Sequence, residues 1–217
     1  MSKIKQTTLI IGEGITEFFF LNSLKDDYSA LRTVKPDYPK NTSLDDLENE
    51  IVSAIRDFNK VYCLIDMDNK KEGKEHQKYI SLKNRYHNKT FKDEKKGIDC
   101  TVKFFETDRC TELFFLYYFC YTTKKFSSYD ALEKELNTHC EYEKTIKFFK
   151  SHPLHPYFKK KGGSLDEAIK RANKSKNYKE ESGSDCSFSE LGEMFEELTG
   201  ICLDKEKPII GPGPTDR

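Results

Sequence analysis

Three short apolar runs in this chain each lead into an acid. TTLII at 7–11 runs into Gly12-Glu13, VYCLI at 61–65 ends directly at Asp66, and CTVKFF at 100–105 precedes a stretch holding Asp108 and Glu112. Each run has the length and side-chain character of a buried strand. Helical patterns lie between them. Residues 15–24 have helical character, 43–58 place Leu44, Leu47, Ile51, Ala54, Ile55 and Phe58 on one face, and 75–85 form a third segment. A further short strand is expected at 31–34, before Pro36 and Pro39. This alternation predicts an α/β fold with a mostly parallel sheet and flanking crossover helices. A parallel sheet gathers the carboxyl ends of its strands on one side, where ligands bind.

After residue 121 the pattern turns helical. A helix opening near Cys110 is apolar almost all round (LFFLYYFCY), hence buried, and further helices are expected at 129–136, 145–150, 165–174 and 189–198. Ser164 and Glu167 fit a capping box. The expected organisation is an α/β core at 1–121, a helical C-terminal part at 122–204 packed on it, and a flexible tail at 205–217. The polar, Lys-rich remainder of 69–96 is expected to be a mobile excursion.

A chain of 217 residues suits one compact domain with appended helices, or at most two small lobes. Lys plus Arg and Asp plus Glu both number 37, so the molecule is no general nucleic-acid sponge, and any such contact must come from local basic surface. One such surface is Lys159, Lys160 and Lys161 with Lys170, Arg171 and Lys174; a solvated helix face explains the same residues. The seven cysteines form no Cys-x-x-Cys pair, which argues against a disulfide framework or zinc finger and for reduced thiols in the cytoplasm. The start of the chain lacks signal-peptide character, and no apolar run is long enough for a membrane span. His152 and His155, flanked by prolines, are expected in a loop, and Cys110 as a packing residue.

Chemistry concentrates at the strand ends. Gly12 and Gly14 around Glu13 allow a metal, a phosphate or a backbone to approach closely, and Glu17 follows four residues on. A glycine turn with an acid at a helix start accounts for the same pattern. Asp66 and Asp68, spaced by two, would point to one side of an extended chain. Like charges so close call for a cation, and hard oxygen ligands suit Mg²⁺ or Mn²⁺. A solvated Asp-Asn turn is the bland alternative. Glu112 must face a polar pocket or carry a burial cost, and Asp108 is a natural helix cap.

In order along the chain, "EGITE" at 13–17, "LIDMD" at 64–68, "TDRCTELFFLYYF" at 107–119, "YEK" at 142–144, "AIKRA" at 168–172 and "FSELGEMFEEL" at 188–198 resemble the RloB-like family, a TOPRIM-domain group related to OLD-type nucleases. The chain departs from that family's pattern with Asp108-Arg109 for Asn-Pro, Thr111 for Phe and Tyr118 for a His; the acids are intact. The resemblance implies a TOPRIM-like fold and a metal-dependent nuclease acting in phage defence on RNA such as tRNA, or on DNA, with an ATPase partner encoded nearby. It implies that Glu13 binds metal or moves a proton, that Asp66 and Asp68 hold Mg²⁺ (or Mn²⁺), that Glu17 and Glu112 complete a second metal position, and that Lys144 stabilises charge near the scissile phosphate. A nucleotidyl-transfer enzyme, or a non-catalytic partner subunit of an ATPase, are the rival functions.

Overall fold

The computed structural model describes residues 7–37, 43–68 and 70–200. Among them, a five-stranded sheet carries nine α-helices. The strands are β1 (Thr8–Ile11), β2 (Val34–Pro36), β3 (Lys60–Asp66), β4 (Lys89–Asp93) and β5 (Ile98–Thr107). The spatial order is β2-β1-β3-β5-β4; only the β4–β5 pairing is antiparallel. The chain goes from β1 outward to β2, then crosses back to β3 on the other side of β1. That reversal makes the β1–β3 boundary the switch point at which α/β sheets open a crevice.

Alternation along the strands builds two apolar layers. Val61, Cys63 and Ile65 of β3 join Ile11, Val102 and Phe104 on one face, under α2 (Leu44–Ala54) and α3 (Gly73–Tyr86), through Leu44, Ile51, Ala54, Tyr79 and Leu82. Tyr62 and Leu64 face the opposite way with Ile10 and Phe105. That second face is covered by α1 (Ile15–Ser23), α4 (Glu112–Tyr117), α5 (Tyr129–Leu136), α6 (Ile146–Ser151), α7 (Leu154–Lys160), α8 (Leu165–Ser182) and α9 (Leu191–Thr199). The two-sided cover explains why β3 reads as an unbroken apolar run. The aromatic residues supply the bulk of the second layer: Phe20 meets Phe115 at 4.8 Å, and Phe114 stacks on Phe195 at 5.3 Å. Deleting such a buried ring costs about 3–5 kcal/mol.

The structure corrects several expectations. Residues 29–33 form a 3-10 turn that buries Leu31, and the second strand starts at Val34. The Lys-rich stretch is ordered as α3 and β4, a polar edge strand shielded by charge as exposed edges commonly are. Helix α8 runs on to Ser182 and stops where Gly183 takes a left-handed φ of 61°. His155 lies inside α7 and is buried; its ring nitrogens bond Tyr118 Oη at 3.0 Å and Asp27 Oδ2 at 3.1 Å. His152 caps α6 and stacks on Phe148. Both imidazoles are committed to packing. The expected tail at 205–217 lies outside the described residues. Beyond β4, the free edge of β5 is taken by residues 188–190: Asp108 N–H donates to the Phe188 carbonyl and Glu190 N–H to that of Glu106, both at 2.8 Å. No described helix is long and apolar enough to cross a membrane, and the six described cysteines are free thiols.

Candidate metal centre

The parallel neighbours β1, β3 and β5 end side by side, and each delivers an acid. Just past β1, Glu13 accepts the Asp66 N–H at 3.3 Å, so the two strand ends are tied directly together. Glu17, buried in the first turn of α1, folds back and accepts the Gly14 N–H at 2.8 Å. This fold-back requires glycine at 12, since a Cβ there would stand 2.6 Å from Glu17 Cβ. Asp66 Oδ1 accepts the Thr111 N–H at 3.1 Å, which fixes the loop after β5 against the end of β3. Glu112 opens α4 with no solvent exposure at all.

The two oxygens of Glu112 are treated unequally. Oε1 is crowded by Tyr142 Oη at 2.9 Å, Lys144 Nζ at 3.0 Å and Thr16 Oγ1 at 3.4 Å. Oε2 is buried with no hydrogen-bond partner. An unsatisfied buried carboxylate oxygen is costly, so it marks a place where a donor or a cation belongs. Lys144 is half-exposed at the rim, with its ammonium 5.0 Å from the Tyr129 ring centre.

Electrostatics agree with crowding. Burial raises the Asp66 carboxyl well above its ordinary range, and the charges of Glu17, Glu13 and Glu112 push it further. Glu17 is pushed up to about 7, mainly by burial and then by Glu112. Burial also raises Glu13, with the Lys70 charge opposing. Burial works against the Lys144 charge, but Glu112 outweighs it and its value rises. Mutual repulsion of this kind is what a divalent cation relieves.

The structure thus brings together Glu13, Glu17, Asp66, Glu112 and Lys144. β3 ends at Asp66, and Asp68, two residues on, is exposed with its charge acting on Glu13. Asp108 does not cap α4; it pairs with Lys71 at 2.6 Å. Among the described residues, no three His, Cys, Asp or Glu side chains are arranged so that they could hold a metal ion, and lysines hold two of the acids. The orphaned Glu112 oxygen and the all-carboxylate donor set have the chemistry of a Mg²⁺ or Mn²⁺ site, in which Glu17, Asp66 and Glu112 would be the holders. Burial raises the Cys110 thiol, and the neighbouring Glu112 and Asp66 charges raise it further, which sets it buried against the acids.

Four members of the site were given no role from the sequence: Thr16, Lys70, Thr111 and Tyr142. Thr16, Thr111 and Tyr142 lie inside the motifs "EGITE", "TDRCTELFFLYYF" and "YEK", and Lys70 lies in none. The basic residues lie elsewhere. Lys159 pairs with Asp27, Lys170 with Glu167, and Arg171 donates to the Tyr117 carbonyl at 2.8 Å. Lys160, Lys161 and Lys174 are exposed on the same α7–α8 stretch. None of their ion pairs reaches the four acids.

A family model described as RloB-like protein matches residues 8–198. The chain belongs to the RloB-like family. All four acids and Lys144 of this RloB-like chain fall inside the matched span. No curated protein and no solved structure matches it.

Proposed function

We propose that this RloB-like protein is a divalent-metal-dependent phosphodiesterase of TOPRIM type that cleaves nucleic acid, serving as an effector of phage defence with an ATPase encoded nearby. The observation that carries the reading is the buried acid cluster at the β1–β3 switch point, with one Glu112 oxygen left without a partner. The order of the acids along the chain, Glu13 and Glu17 after the first strand and Asp66 after a later one, supports the TOPRIM resemblance.

A divalent ion held by Glu17, Asp66 and Glu112 supplies Lewis-acid neutralisation of charge on a phosphodiester. The chain does the rest. Tyr142 and Thr16 hold Glu112 in one orientation, leaving Oε2 free. Glu13, held by the Lys70 ammonium and the Asp66 N–H, ties the ends of β1 and β3 together beside the ion position. Lys144 presents a half-exposed ammonium at the rim, where it stabilises developing negative charge. Lys159, Lys160, Lys161, Lys170 and Lys174 offer a separate exposed surface for the phosphate backbone, with Arg171 bracing the helix beneath it.

The test is cleavage of RNA and of plasmid DNA by purified protein with Mg²⁺ or Mn²⁺, alone and with the neighbouring ATPase. Glu13→Ala and the double variant Asp66→Ala/Asp68→Ala are expected to lose about 100-fold or more of the activity. Undiminished cleavage by the double variant would remove the assigned site.

A further inference from the structure

Lys70 lies beyond any of the acid motifs, in a stretch that reads as solvated charge. Its side chain is nonetheless 9% exposed. The ammonium donates to Glu13 Oε2 at 2.9 Å and to the Asp66 carbonyl at 3.0 Å, and Glu13 Oε1 stands 2.8 Å away in the same ion pair. The ammonium is thus engaged by two groups of the site, the Glu13 carboxylate and the Asp66 carbonyl. The residue is held in place as well: its own carbonyl contacts His76 Nδ1 at 2.8 Å, on the first turns of α3. Both Glu13 oxygens are thereby occupied, with the Asp66 N–H added on Oε1.

The free ligand capacity is on the other side of the pocket. Lys144 takes only Oε1 of Glu112 and leaves Oε2 open. With all four clustered carboxylates ionised, two ammoniums would leave an excess of two negative charges, the charge of one divalent ion, and the exposed Asp68 acts on Glu13 from outside that count. A second ion at Glu13 would have to expel a buried ammonium paired with that carboxylate, at a cost in uncompensated charge.

We propose that Lys70 is a resident cation of the centre, filling the Glu13 position, so that the pocket takes one divalent ion rather than two, held by Glu17, Asp66 and Glu112. The inference rests on the metal-centre reading above and narrows it. Lys70 acts as a positioning residue: it keeps Glu13 beside Asp66 without spending a metal there.

The test counts ions by calorimetry and equilibrium dialysis with Mn²⁺, at a pH where the acids ionise. The wild type is expected to bind one ion per chain and Lys70→Met two, while Lys70→Arg stays at one. Glu13→Gln is expected to keep its single ion and Glu112→Gln to lose it, which decides the matter even if Lys70→Met folds poorly. A wild type that binds two ions, a Lys70→Met that binds only one, or a Glu13→Gln that binds none would overturn the role of Lys70 and leave the metal centre standing. A wild type that binds no ion would instead strike the metal centre itself.

Discussion

Glu106 and Glu112 flank the same strand end, six residues apart, yet they live in opposite circumstances. Glu106 Oε1 takes the Tyr79 hydroxyl at 2.5 Å and the Lys83 ammonium, and its backbone is bonded on both sides by Glu190. Its Oε1 is held by two partners, and through its side chain and backbone it pins α3 and the chain before α9 to β5. Glu112 is more deeply buried, is surrounded by further acids, and retains an oxygen with no partner. An acid that holds a fold together is satisfied by its neighbours. An acid left unsatisfied inside other acids keeps binding capacity in reserve, at a cost to stability that function has to justify.

The sharpest break in this comparison is a paired substitution. Glu112→Gln is expected to abolish ion binding and reduce cleavage by about 100-fold or more. Glu106→Gln is expected to leave cleavage near wild type and cost roughly 1–3 kcal/mol in urea unfolding, as a disturbed buried hydrogen-bond set does. Equal losses of cleavage in the two variants would erase the distinction drawn between them.

A smaller effect follows from protons. The ordinary value for Glu17 is 4.5 and its folded value is about 7, raised chiefly by burial. Between these values the folded chain holds a proton that the unfolded chain has released. Stability without metal is therefore fully present below about pH 4.5 and falls as pH rises through 7. Asp66 is shifted in the same sense, and so is Glu190, at about 7, outside the pocket. Melting in EDTA should drop by about 5 °C between pH 5 and 7.5 in the wild type. In Glu17→Gln the drop should shrink but not vanish, since Glu190 still titrates. Identical pH profiles for the two proteins would show that Glu17 is not strained by its surroundings.

The same contrast between satisfied and unsatisfied groups explains what could be read from the sequence. Strands β1, β3 and β5 were legible because a sheet covered on both faces demands continuous apolar runs. Strand β4 was not, because KTFKD is an edge whose one large apolar residue, Phe91, packs on Tyr86. The acids were legible because each stands at the end of such a run. Lys70 was hidden, and so were the roles of Thr16 and Thr111 within their motifs, since these arise from long-range contacts: Lys70 meets a residue 57 positions away. The Asp108-Arg109 departure has a local consequence too. Arg109 adopts a φ of 76° and donates to the Phe126 and Ser127 carbonyls. Proline is locked near −65°, so the turn leading to Glu112 has a different shape here from one built on Asn-Pro.

Crystals grown with Mn²⁺ and measured at its absorption edge test the central claim most directly. An anomalous peak within coordination distance of Glu17, Asp66 and Glu112, with Lys70 still seated on Glu13, is the predicted result. Bound Mn²⁺ at Asp68 or Asp108 with Glu112 Oε2 left untouched would contradict it.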